Sequence, residues 1–195
     1  MAAANRLTSE AATLTLVAAM DRKADFFPLF GLPRRYALDE TALNESYRAL
    51  LARVHPDTVV LGDATAKRRA MEDAAYANDA YRILKDPVRR GDYLLQCCGE
   101  APLGTNETLP IEFLSEQLEA REVADEAWRA DDYGRLEALQ SSLLTAQQQR
   151  REALAVLFSG DEMPSEIALA EARQHVLALQ FLTRFADDLG EKMDT

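Results

Sequence analysis

From residue 39 onward, apolar residues return every three or four positions and never settle into alternation with polar ones. A period near 3.6 residues marks amphipathic helices, and without a two-residue period there is no material for a sheet. The chain is therefore expected to be all-α. The clearest case is Leu43, Tyr47, Leu50, Leu51 and Val54, which share one helical face behind Asp39 as N-cap and Glu40 in the first turn. Pro56 ends that helix, because the residue before a proline is pushed out of the α region. Gly62 and Asp63 mark a loop over 58–66. A second helix over about 67–85 carries Ala70, Ala74, Ala77, Tyr81 and Leu84 on one seam, small enough in part for close approach to a partner. Together the two predict an antiparallel hairpin. Asp86-Pro87 stops the second helix, and Val88 to Gln96 forms a short third one.

Ahead of the hairpin, Phe26, Phe27, Leu29, Phe30 and Leu32 are interspersed with Pro28, Gly31 and Pro33. That spacing excludes a long helix and predicts one apolar turn docked on a core. Residues 1–22 form a frayed or short helical extension, too poor in Arg and interrupted by Glu10 for a transit peptide. Gly99, Pro102, Gly104, Thr105 and Asn106 make 99–109 the clearest linker. Beyond it the pattern predicts three long helices, about 110–130, 133–158 and 165–190, with Asp132 and Ser165 as caps and Gly160 and Pro164 at the last turn. The expected domains are thus an extension (1–22), a first helical module (23–98), a linker (99–109) and a three-helix bundle (110–195).

Charge and chemistry narrow the function. The net charge of −11 argues against nucleic-acid binding through the overall field, and no apolar run is long enough to span a membrane. Cys97 and Cys98 are adjacent, a poor arrangement for a disulfide, for zinc, or for a cluster needing four ligands. They read as packing at a helix end in a reducing compartment. The two histidines, His55 and His175, have Ala52 and Ala172 three residues before them, so neither belongs to a Glu-x-x-His metal pair. No catalytic residue, metal or cofactor is expected.

The turn at His55-Pro56-Asp57 carries the functional signal. As a bare tripeptide it is only a turn. It sits, however, between an amphipathic helix and a second one that bears Asn78, Ala80, Tyr81 and Leu84 before Asp86-Pro87, with Arg89, Arg90 and Tyr93 beyond. This arrangement, over about 24–96, resembles a J-domain, the module with which co-chaperones engage DnaK-type ATPases. The resemblance implies that His55, Pro56 and Asp57 contact the ATPase and trigger hydrolysis, and that Arg48 and Arg53 meet its acidic surface. Two Arg beside a loop in an acidic chain would steer such a partner. The aromatic residue that often precedes the triplet is Val54 here, and the Lys that often follows is Thr58, which implies a specialised ATPase.

The helix expected over 110–130 has two apolar arcs. At 100° per residue Phe113, Ala120, Val123, Ala124, Ala127 and Trp128 share one, which should face the bundle core. Leu114 and Leu118, with Ile111 near them, fall 100–140° round. Two arcs mean either a broadly buried helix or an exposed sticky patch. The run Phe113 to Glu122, with Leu29-Phe30-Gly31-Leu32-Pro33 and Tyr93-Leu94-Leu95, is similar to the HscB family, from residue 25 nearly to the end. That resemblance implies a co-chaperone of iron–sulfur cluster assembly, with an N-terminal J-domain hairpin and a C-terminal bundle. The bundle would bind the scaffold IscU through Leu114, Leu118 and Phe181, with Glu119, Glu122 and Glu126 as a polar rim, and the J-domain would present it to HscA. A bacterial-type cytoplasmic protein is expected, ahead of a mitochondrial-matrix one. The alternative is a J-domain co-chaperone for another client.

Overall fold

The computed structural model describes residues 25–54, 64–104, 107–160 and 162–193. Among them it is entirely helical apart from turns and loops, as the periodicity requires. The extension 1–22, the turn His55-Pro56-Asp57 and residues 58–63 lie outside the described residues. By contacts the chain divides into two compact units, one of residues up to 34 and 38–86, the other of residues 35–37 and 87 onward.

The first unit opens with α1 (Phe26–Leu29), whose Asp25 carboxylate accepts the Phe27 amide at 3.1 Å. Gly31 at φ 65° turns the chain out of it, and Phe27 and Phe30 are buried. In α2 (Glu40–Val54) the Asp39 carboxylate caps the amides of Thr41 and Ala42 at 2.9 and 3.1 Å. Its buried residues, Leu43, Leu50 and Val54, are spaced seven and four apart, as one helical face demands. It packs on α3 (Ala64–Lys85), which buries Ala70, Ala77, Ala80 and Leu84. This helix begins three residues earlier than the expected 67, because Ala64 and Ala66 are strong helix formers that the loop signals at 62–63 do not override. Two reciprocal bonds fix the antiparallel register: the Tyr47 hydroxyl donates to Asn78 Oδ1 at 2.8 Å and the Tyr81 hydroxyl to Asn44 Oδ1 at 2.7 Å. The two phenol rings stack between them, 3.9 Å apart and 11° from parallel. The seam therefore joins apolar contact to polar pairs that tolerate no slip.

The second unit begins at α4 (Pro87–Cys97), with proline in the first turn where its missing N–H costs nothing. Three longer helices follow: α5 (Ile111–Arg129), α6 (Tyr133–Leu157) and α7 (Glu166–Met193). The Asp132 carboxylate caps α6 through the Arg135 amide at 3.0 Å, and Ser165 Oγ accepts the Ala168 amide at 3.3 Å. Between α5 and α6, Asp131 takes the left-handed φ of 52°, a conformation Asp tolerates better than most side chains.

α7 is the spine of this unit. It packs most extensively on α6, and also on α4. Gly91 makes the second contact possible, since a Cβ there would lie 2.7 Å from a Val176 methyl. Tyr36 joins from residues 35–37, buried beneath the Arg90 guanidinium at 4.8 Å from the ring. The bundle core is Phe113, Ala124 and Ala127 of α5, Leu136 and Leu143 of α6, and Ala178, Leu182, Phe185 and Leu189 of α7.

The contact boundary between Asp86 and Pro87 differs from the sequence boundary at 98, because α4 follows α3 directly yet packs on α7. The segment expected to be a linker is also held. Arg173 of α7 donates to both carboxylate oxygens of Glu107 (Nε to Oε2 at 2.9 Å) and to the carbonyls of Ala101 and Pro102 at 2.9 and 3.4 Å. Asp92 of α4 accepts the Leu103 amide at 2.9 Å. These bonds strap residues 101–103 and Glu107 to the bundle. None of them is visible as local composition, since Arg173 lies 66 residues from Glu107.

Candidate functional site

α5 settles which of the two arcs is inward. Phe113, Ala124 and Ala127 are buried, whereas Leu114 is 38 % exposed, Leu118 60 % and Ile111 69 %. The second arc is therefore an exposed apolar strip. Packing one face of α5 on α6 turns the other outward, and the sequence keeps leucine there at an area cost of about 25 cal/mol for each Å² left in water.

Phe181 of α7 is half-buried and meets Phe113 edge to face, with ring centroids 5.9 Å apart at 80°. It thus joins the core while its remaining surface is open. The guanidinium of Arg121 lies over the rings of Phe181 and Phe185, at 5.4 and 4.7 Å, and reaches Asp188 at 3.9 Å. Glu119, Glu122 and Glu126 are exposed, and Glu126 is tied to Arg135 of α6 at 3.4 Å. An apolar centre with acidic neighbours in this pattern suits a reversible protein interface.

Beneath Phe113 is a polar layer that periodicity does not announce. The Arg150 guanidinium sits 5.8 Å from the Phe113 ring and donates to His175 Nδ1 at 3.3 Å. A guanidinium has only donors, so this imidazole nitrogen accepts. Burial and the Arg150 charge hold His175 below the ordinary imidazole range, which keeps it neutral at pH 7. Gln117 is buried on the same face of α5 as Phe113, and its Oε1 finds no hydrogen-bond partner among the described residues.

One expectation for α5 is corrected. Trp128, placed on the core arc, is 39 % exposed. It lies 60° from Phe113 but only 40° from Leu114 on the wheel, so it sits at the edge of both arcs, and small Ala124 and Ala127 fill the core beside it. Arg121 also belongs to this exposed surface; its place 20° from Leu114 on the wheel is the signal that points to it.

In the first unit, Arg48 and Arg53 are exposed on α2, off its buried stripe. The triplet that would use them lies outside the described residues. Cys97 and Cys98 are half-buried at the end of α4. Among the described residues, no three His, Cys, Asp or Glu side chains are grouped to hold a metal, and no helix is long and apolar enough to cross a membrane.

Residues 109–190 match the family model described as the HSCB C-terminal oligomerisation domain. A co-chaperone protein HscB homolog of Cupriavidus taiwanensis is 38 % identical over 174 residues, which cover 88 % of this chain and 95 % of that one. Among solved structures, the chaperone HscB from Vibrio cholerae superposes with a TM-score of 0.75 at 30 % identity, covering 88 % of this chain and 98 % of that one. The human co-chaperone protein HscB does so with a TM-score of 0.78 at 25 % identity, covering 89 % and 84 %. A match of 174 residues is too long to be confined to one compact unit, so the likeness takes in the hairpin and the bundle together: this chain belongs to the HscB family of co-chaperones.

Proposed function

We propose that this co-chaperone of iron–sulfur cluster assembly binds an IscU-type scaffold on Leu114, Leu118 and Phe181. It then delivers the scaffold to an HscA or DnaK-type ATPase, whose hydrolysis His55, Pro56 and Asp57 stimulate. The observation that carries the client half is the exposed leucine strip on a helix whose opposite face is fully occupied by core. Glu119, Glu122 and Glu126 act as the polar rim. Arg48 and Arg53, exposed on α2, favour approach of an acidic ATPase surface and raise the association rate more than the affinity. The protein makes and breaks no covalent bond itself and carries no cofactor; it works in the cytoplasm by holding two partners. A modest apolar centre also permits release, which handover requires.

Titration calorimetry of the full chain with its IscU-type scaffold tests this. The wild type binds, and the Leu114→Ala, Leu118→Ala, Phe181→Ala triple variant, with unchanged helical circular dichroism, loses binding by at least a hundredfold. A wild type that ignores a folded scaffold would leave a J-domain co-chaperone serving a different client.

A further inference from the structure

Phe181 reaches the client face from a different helix than Leu114 and Leu118. Among the described residues, α5 packs chiefly on α6, and α7 on α6 and α4. The two halves of the face are therefore joined by long side chains rather than by a close helix seam. One of these ties lies within the face itself. Arg121 stands on the exposed strip of α5, 20° from Leu114 on the wheel, and its side chain is 44 % exposed. From there it crosses to α7, where its guanidinium lies 5.4 Å from the Phe181 ring, 4.7 Å from the Phe185 ring and 3.9 Å from Asp188. Phe181, Phe185 and Asp188 follow at steps of four and three, so one side chain of α5 holds three positions of one α7 stripe.

A half-buried phenylalanine on a helix has two staggered χ1 wells open to it, since the third clashes with the preceding turn. Only a ring that stays in one of them can be part of a preformed face. Phe113 supplies an edge-to-face contact, and Phe113 is itself buried core. Arg121 supplies the contact from the exposed side chains. A guanidinium suits this position because it is planar and weakly hydrated. It stacks on aromatic faces while its free N–H groups keep water. Its charge is already turned to Asp188, and two rings already engage it. What Arg121 gives the face is the placement of Phe181.

We propose that Arg121 is a positioning residue of the client face. It keeps the Phe181 ring in the rotamer that meets an IscU-type scaffold, so that binding does not have to order it. The inference rests on the reading of Leu114, Leu118 and Phe181 as that face, and it gives Arg121 no scaffold contact of its own.

Calorimetry of the full chain with the IscU-type scaffold, run as a double-mutant cycle, tests this. Arg121→Ala weakens binding about 2- to 12-fold, the cost of ordering one side chain. The same substitution made in Phe181→Ala changes binding by less than about 1.5-fold, because no ring is left to hold. Arg121→Lys keeps the charge but loses the planar group, and binds as Arg121→Ala does. In the unbound protein, NMR χ1 couplings of Phe181 report one rotamer in the wild type and an average over two in Arg121→Ala. Helical circular dichroism stays at wild-type strength throughout. An Arg121→Ala variant that binds like the wild type, while Phe181→Ala binds weakly, overturns the proposal and leaves the client face standing. An equal loss in both backgrounds means that Arg121 touches the scaffold itself, and recovery by Arg121→Lys means that charge is the agent; either overturns the positioning role. If Phe181→Ala binds as tightly as the wild type, Phe181 leaves the client face and the proposal falls with that reading.

Discussion

Two buried positions show how single side chains set the second unit. Gln117 keeps its carbonyl oxygen buried without a hydrogen-bond partner among the described residues, an arrangement that costs about 1–3 kcal/mol. Gln117→Met conserves length and removes the orphaned acceptor. It should raise stability by about 1 kcal/mol, read as a higher midpoint in thermal unfolding; a lower midpoint would show that the amide has a favourable role. Gly91 is the opposite case. Alanine gains about 1 kcal/mol of helix propensity, but its methyl would sit 2.7 Å from the fully buried, β-branched Val176. Overpacking of about 1–3 kcal/mol then prevails, and Gly91→Ala should lower the midpoint, the more so because Val176 has a single stiff torsion with which to yield.

Among the elements, helices were legible where a local signal marks an end. Asp39, Asp132 and Ser165 each cap the helix that their position predicts, and proline opens α4. Allegiances between elements were not legible. α4 adjoins α3 in sequence but packs on α7, because what decides its burial is the groove left by Gly91 beside Val176, 85 positions on. The strap over 101–104 and Glu107 reads as a linker in the sequence for the same reason. Its Gly and Pro are local, whereas its anchor Arg173 is remote. The anchor makes the strap sensitive to acid. Hydrogen bonds from Arg173 and from the Gly104 amide, with the Arg173 charge, hold the Glu107 carboxyl below the usual carboxylate range. A carboxyl whose pKa is lowered by folding stabilises the fold above its unfolded value and ceases to as pH falls through the folded one. Protection of the Leu103 and Gly104 amides against hydrogen exchange should therefore fall as pH drops below the usual carboxylate range. In Arg173→Ala exchange should already be fast at pH 7. Equal protection in the variant would mean that Asp92 alone holds the strap.

For the molecule as a whole, the two functions are expected to be separable. Asp57→Ala should remove stimulation of the DnaK-type ATPase and leave scaffold binding intact, whereas Leu118→Ala with Phe181→Ala should do the reverse. Steady-state ATP hydrolysis and calorimetry on the same preparations measure both. Loss of both activities in either folded variant would join what the contacts divide. Periodicity alone put Leu114 and Leu118 off the core arc, and both are exposed there; a client role for them rests on the family resemblance. What periodicity does not carry is depth. It assigns an angle to Trp128 and Gln117 but not the size of the neighbours that leave one outside and the other within.

The pairing of α4 with α7 also has a consequence in time. A ribosome makes the chain from its N-terminus, and every residue of the first unit precedes Pro87. The hairpin thus has all its own contacts once Asp86 has emerged. The face of α4 around Gly91, which packs on α7, must wait for Val176 and its neighbours, about 4–17 s later at ordinary elongation rates. During synthesis a hairpin able to meet an ATPase is followed by a helix face that still lacks its cover and resembles an unfolded substrate. The co-chaperone is, for those seconds, dressed as a client of its own kind of partner.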